Sequence, residues 1–336
     1  MAACRLRSTA TISPERLLNC SKEVPPMNSA PAAVQRAQHR LAAAGGRHIG
    51  DLVSWNCERI DVSRAAVREL FASEGFGHLI PDMDPATALS RAMAEVKRPP
   101  GILVRPFARP KGDTSAAMGV YVQKGRDGET GDEYVCGARC RVDRQTSQIV
   151  SLPPEGVPGI DVALAHAEEM ATHANHLVMH CETRDISAAM VATVKALSGV
   201  PLRDRGGFYL LPPSTCATWL RLKPGLEQLG VEPIRIEMHD APDNIAAAKA
   251  AAKGALEADI ADLITDLDKA ASEGMRQHAL NRRVEICKEL TAKAELYRGV
   301  LAGVTDQIMT RVRDLQQQFQ RQLDGDGAAF RVPVKD

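Results

Sequence analysis

The chain has 336 residues, enough for two domains or more around at least one sizeable core. Apolar residues make up 44% and aromatics only 4%, so a globular core here rests on Leu, Val, Ile, Ala and Met. The 42 basic and 42 acidic residues cancel, which argues against a globally basic nucleic-acid binder.

Eight cysteines are scattered without a C-x-x-C pair, which argues against a structural zinc ribbon or finger. No apolar run approaches the roughly 20 residues of a membrane span, and no secretory core is visible. The expectation is a reduced, cytoplasmic protein with no membrane partner.

Residues 1–30 read as a disordered tail, with Met27 a natural alternative start. Residues 31–100 read as a small helical region. An Ala-rich helix over 31–44 is stopped by Gly45-Gly46. Residues 49–60 are ambiguous between strand and irregular chain. Ser63 caps a helix over 64–73, and Asp84-Pro85 opens one over 85–97 that Pro99-Pro100 ends. The linker between these helices is too long for a helix-turn-helix, whose turn takes about 3–4 residues. Arg64, Arg68, Arg91 and Arg98 read as solvated helix faces.

Residues 101–240 read as an α+β core. Over 102–152 the apolar period changes to two, predicting four strands at 102–104, 118–122, 134–142 and 148–152. Their turn-rich connections predict an antiparallel meander. Cys136 and Cys140 are placed on one face of their strand. The acidic loop with Asp127, Glu129, Asp132 and Glu133 lacks calcium-loop spacing and reads as a solvated turn.

Asp161 opens a helix to Cys181. On it His166, Glu169, His173, His176 and His180 fall within about 80° of one another at about 100° per residue. The i,i+4 pairs Glu169/His173 and His176/His180 can each present two ligands to a divalent transition metal. The zincin pattern is incomplete, because Leu177 and not Glu follows His176. The ordinary alternative is a wet or inter-helix face. No other cofactor is expected.

A second amphipathic helix follows, with Ile186, Met190, Val194 and Leu197 on one face. Then come a strand at 206–211, a helix with Trp219, Leu222, Leu226 and Leu229 inward, and a strand at 231–238. Gly206-Gly207 lacks the spacing of a dinucleotide or Walker loop.

Residues 241–324 predict a long antiparallel, coiled-coil-like helical hairpin with its tip near Gly274, before a frayed tail at 325–336. The second arm, taken as continuous, is about 70 Å long. It carries Tyr297, Leu301, Val304, Ile308, Val312, Leu315 and Phe319, with eleven-residue repeats. That stripe is the candidate oligomer or partner interface.

The segment Ile49-Gly50-Asp51-Leu52-Val53, the turn from Gly75 to Pro81, Ala88-Leu89-Ser90-Arg91-Ala92, the meander, Arg205-Gly206-Gly207-Phe208-Tyr209-Leu210-Leu211-Pro212 and the helical C-terminus go together. In them the chain resembles an uncharacterised family of phages, plasmids and other mobile elements, over residues 45–323. The resemblance implies an architecture and no activity.

Three functions remain. The missing catalytic motifs and the long hairpin favour a non-enzymatic interaction or assembly protein that self-associates or binds a partner protein. The alternative is nucleic-acid binding through Arg105, Arg109 and Lys111 with Arg203 and Arg205. The third is a metal-dependent hydrolase using the histidine stripe.

Overall fold

A computed structural model describes residues 40, 45–106, 117–124, 133–143, 146–154, 156, 158–203 and 207–325. The fold is α+β, with antiparallel sheets packed against helices and a helical C-terminal segment. The expectations for residues 1–30, for most of 31–44, for Asp127, Glu129 and Asp132, and for residues 326–336 lie outside the described residues.

The meander is as expected. Strands β3 (Ile102–Pro106), β4 (Ala117–Lys124), β5 (Glu133–Val142) and β6 (Ile149–Leu152) pair in sequence order, all antiparallel. One correction concerns the cysteines. A bulge between Val120 and Tyr121 pairs Cys136 with Tyr121 but Cys140 with Met118. An extra residue in one strand inverts the alternation beyond it. Cys140 is therefore buried with Met118 and Val120, while Cys136 is half-buried on the other face.

The residues left ambiguous form the longest strand of a second sheet. Here β1 (His48–Cys57) lies between β10 (Val231–His239) and β9 (Tyr209–Leu211), with β8 (Val200–Pro201) outermost. The region read as a small helical one thus also supplies a central strand to the sheet of the α+β core. Gly50 is required there. Its φ is 145°, and a Cβ would stand 2.4 Å from the Leu211 carbonyl oxygen.

Both faces of this sheet are covered, by different helices. Val53, Tyr209 and Leu211 face α1 (Arg64–Ala72), α4 (Thr183–Ala196) and α5 (Cys216–Gln228). Ile49, Leu210 and Met238 face the C-terminal helices. The meander has its own core with α2 (Pro85–Glu95) and α3 (Asp161–Met179). A two-stranded ladder, β2 (Asp61–Ser63) with β7 (His180–Glu182), joins α3 to α4.

The C-terminal segment turns at Gly274, as expected, between α6 (Pro242–Glu273) and α7 (Gln277–Leu296). Ion pairs of 2.6 Å between Arg283 and Asp266 and of 2.9 Å between Lys293 and Asp259 run between them. The second arm is not continuous. After α8 (Arg298–Leu301), Ala302 and Gly303 adopt φ of 29° and 73°, and α9 (Val304–Gly325) folds back along α7.

That break changes the meaning of the apolar stripe. Tyr297, Leu301, Ile308, Val312, Leu315 and Phe319 are buried in this chain's own core, and Val304 is half-buried against it. The Tyr297 hydroxyl reaches the carbonyls of Ser198 at 2.9 Å and Leu210 at 2.8 Å, tying the helices to the sheet. These seven residues hold the protein together and are not a free interface.

Candidate metal centre

Strand alternation builds the site. In the β2–β7 ladder Asp61 pairs with Glu182 and Ser63 with His180. Residues two apart share a face, so Asp61, Ser63, His180 and Glu182 point the same way. Val62 and Cys181 point to the other, where Cys181 is fully buried.

Helix α3 ends at Met179, two residues earlier than expected. His180 is its extended C-cap, with φ −119° and ψ 153°. Arg64 fixes this turn. Its guanidinium donates to the carbonyls of Leu177 at 3.0 Å, Val178 at 3.3 Å and His180 at 2.7 Å. It thereby satisfies the unpaired end of α3. Arg64 and Arg91 are buried, a correction to their reading as solvated helix faces.

The turn delivers three side chains to one point. Asp61 Oδ1 lies 2.8 Å from His176 Nε2 and 2.8 Å from His180 Nδ1. The two imidazole rings are 4.1 Å apart. All three side chains are partly open to solvent, Asp61 at 53%, His176 at 36% and His180 at 37%. The hydrogen bond from His180 holds the Asp61 carboxyl below its usual value, against burial, which raises it, and with that from His176 adding to the lowering.

The other stripe residues part company. His173 Nε2 is 2.9 Å from Glu95 Oε2 and shares a second cluster with Glu182. Arg91 already binds both carboxylates there, at 3.0 Å to Glu95 and in close contact with Glu182, and also holds Asp185 at 2.8 and 2.9 Å. Arg184 adds a 2.8 Å contact to Glu95. Burial pushes the Glu95 carboxyl up, but the His173 and Arg91 hydrogen bonds outweigh it and the net shift is down.

His166 is not at the surface at all. It is 2% exposed in the meander core, and neither ring nitrogen has a hydrogen-bond partner among the described residues. Glu169 Oε2 stands 3.9 Å from its Nδ1, beyond hydrogen-bonding distance. Burial holds the His166 imidazole below its ordinary value.

A third cluster, buried at Asp51 and Cys216 and half-buried at His48, is already satisfied. Asp51 accepts from Arg235 at 2.6 and 3.2 Å and lies 2.8 Å from His48 Nε2. Cys216, beside it, turns its thiol to the Pro212 carbonyl at 3.3 Å. Burial, with the Asp51 charge adding to it, raises that thiol far above its ordinary value.

The three clusters differ in what balances their charge. Arginine compensates the carboxylates of Asp51, Glu95 and Glu182. Among the described residues Asp61 has only its two histidines. A tetrahedral zinc ion with bonds of about 2.0–2.2 Å would need its ligands about 3.3–3.6 Å apart, so each 2.8 Å separation from Asp61 would have to open by less than about 1 Å. Asp61, His176 and His180 would supply three ligands to such an ion, fewer than the four of a closed structural site.

Asp61 escaped the sequence reading because it lies 115 residues before His176. The i,i+4 pair His176/His180 was the signal that could be read. Of the basic candidates, Arg105 is exposed on β3 and Arg203 lies beyond β8, on separate sheets. Arg109, Lys111 and Arg205 lie outside the described residues.

A profile of a family of unknown function, DUF6744, matches residues 48–328 of the chain. No curated protein and no solved structure matches it. Among the described residues no helix is long and apolar enough to cross a membrane.

Proposed function

From the premise that this chain belongs to that family of unknown function, we propose that it carries a divalent transition metal on Asp61, His176 and His180 and acts as a metal-dependent hydrolase. The observation behind this reading is the convergence of two imidazole nitrogens on one carboxylate oxygen without a compensating arginine. A divalent metal held there would acidify a water molecule and so supply a nucleophile near neutral pH. This reading needs no glutamate after His176, the residue whose absence breaks the zincin pattern.

Elemental analysis of natively purified protein tests it. Close to one transition-metal ion per chain is expected, falling to background in His176→Ala. Background metal in both proteins would remove the reading.

The assembly reading keeps a different support. Met179 is 66% exposed at the end of α3, and Ile264 and Leu296 are exposed on the C-terminal helices. A partner or second copy docking there, in the cytoplasm and in a mobile-element setting, is tested by light scattering. A monomer at micromolar concentration contradicts self-association. Nucleic-acid binding has weaker support, since the basic candidates on described residues lie on separate sheets.

A further inference from the structure

Beside the metal centre runs an open cleft of about 440 Å³. It is lined by Arg59, Ile60, Asp61, Glu182, Thr183 and Arg184. Ligand clefts of small molecules start at about 300 Å³, so the space suits a small group. Arg59 is exposed and makes no ion pair among the described residues. It sits two positions before Asp61 in the turn between β1 and β2, with φ of 52°. Arg184 is 57% exposed and bonded only to Glu95 among the described residues. Thr183 Oγ1 accepts from the Ile60 amide and keeps its own proton to donate.

The charge of this cleft depends on the metal. Two arginines face two carboxylates, so the lining is neutral. A divalent ion on Asp61 would raise it to +2 and keep one coordination position for a ligand. We propose that the metal-loaded site takes a phosphate group, one oxygen on the ion and another on the Arg59 guanidinium. The inference rests on the metal reading above and names the chemical class of its substrate: a phosphate ester, or free phosphate as its product. Guanidinium recognises a phosphate by paired charge-assisted hydrogen bonds, which fixes its orientation as well as its affinity. The Thr183 hydroxyl and Arg184 complete the donor set.

Cobalt-loaded protein tests this in two stages. Cobalt is titrated first, so failure of the metal reading is seen separately as the absence of a bound-cobalt spectrum, and the phosphate inference falls with it. Inorganic phosphate and phenyl phosphate are then titrated while the visible absorption of the bound cobalt is followed. The expected result is a saturable spectral change with at least one of them, absent from metal-free protein by calorimetry. Tighter binding of phenyl phosphate identifies the ester as the ligand, and tighter binding of inorganic phosphate identifies the free anion. Arg59→Gln should keep its cobalt affinity and bind phosphate about tenfold more weakly. An unchanged cobalt spectrum, equal binding without metal, or equal binding by Arg59→Gln would overturn the proposal.

Discussion

Asp51 and Asp61 are both strand carboxylates held by histidine, and they are built for different ends. Asp51 is fully buried, clasped by the Arg235 fork and His48, and its charge is cancelled within the fold. Asp61 is half-open to solvent and meets two imidazoles, with no arginine beside it among the described residues. The first arrangement is complete without a ligand. The second brings two imidazole nitrogens to one carboxylate oxygen, the donor set that the proposed metal ion would complete. Compensation by arginine, more than residue type or spacing, separates these two clusters.

The comparison breaks most visibly at Asp51. Asp51→Ala removes the fully buried carboxylate and leaves Arg235 with only the more exposed Glu237 at 2.8 Å, and should cost about 3–5 kcal/mol in denaturant unfolding. A loss below about 1 kcal/mol would mean that the buried pair does not hold the sheet.

Arg64→Met lies between the two clusters in effect. It leaves three carbonyls at the end of α3 without their donor, at a cost of about 1–3 kcal/mol. It should also weaken metal binding, because the turn that presents His180 loses its anchor. Metal affinity unchanged in a destabilised protein would show that Arg64 does not position the site.

Asp61→Asn should shift stability by less than about 1 kcal/mol, the scale of exposed ion pairs. Its zinc affinity, read by calorimetry, should nevertheless fall at least about tenfold. A large loss of stability with little loss of affinity would make Asp61 a second Asp51.

The smallest effect concerns His166, the stripe residue that belongs to neither cluster. Burial depresses its folded-state value below the ordinary one of about 6.5. The unfolded chain therefore takes up the proton first as pH falls, and stability declines from about pH 6.5 downward. His166→Leu should flatten unfolding free energy against pH in that window. Asp61 and Glu95, whose folded values are lowered, lose their contribution only in more acid solution, below about pH 4. An unchanged slope between pH 6.5 and 5 would show that His166 is not the group responsible.

The sequence showed most clearly what a single element's periodicity could carry. The meander followed from its alternation and turns, and the inward face of α4 from Ile186, Met190, Val194 and Leu197, all buried. β1 stayed ambiguous because it places polar Asp51 and Ser54 in the interior and is kinked at Gly50. The second arm read as unbroken because its eleven-residue repeats run on past Ala302 and Gly303, where the backbone turns. An apolar stripe says that a face is covered, and the turn decided that α7 and the sheet cover it. The site was half-legible for a related reason. His176 and His180 are neighbours in sequence, whereas Asp61 reaches them only through the β2–β7 ladder, and no local pattern marks a three-residue strand.

Zinc titration by calorimetry, comparing the wild type with the His176→Ala/His180→Ala double variant at pH 7, tests the central claim most directly. The account predicts saturable binding of one ion per chain to the wild type and none to the variant, with both proteins folded. Equal binding by the two proteins, or no binding by the wild type, would contradict it.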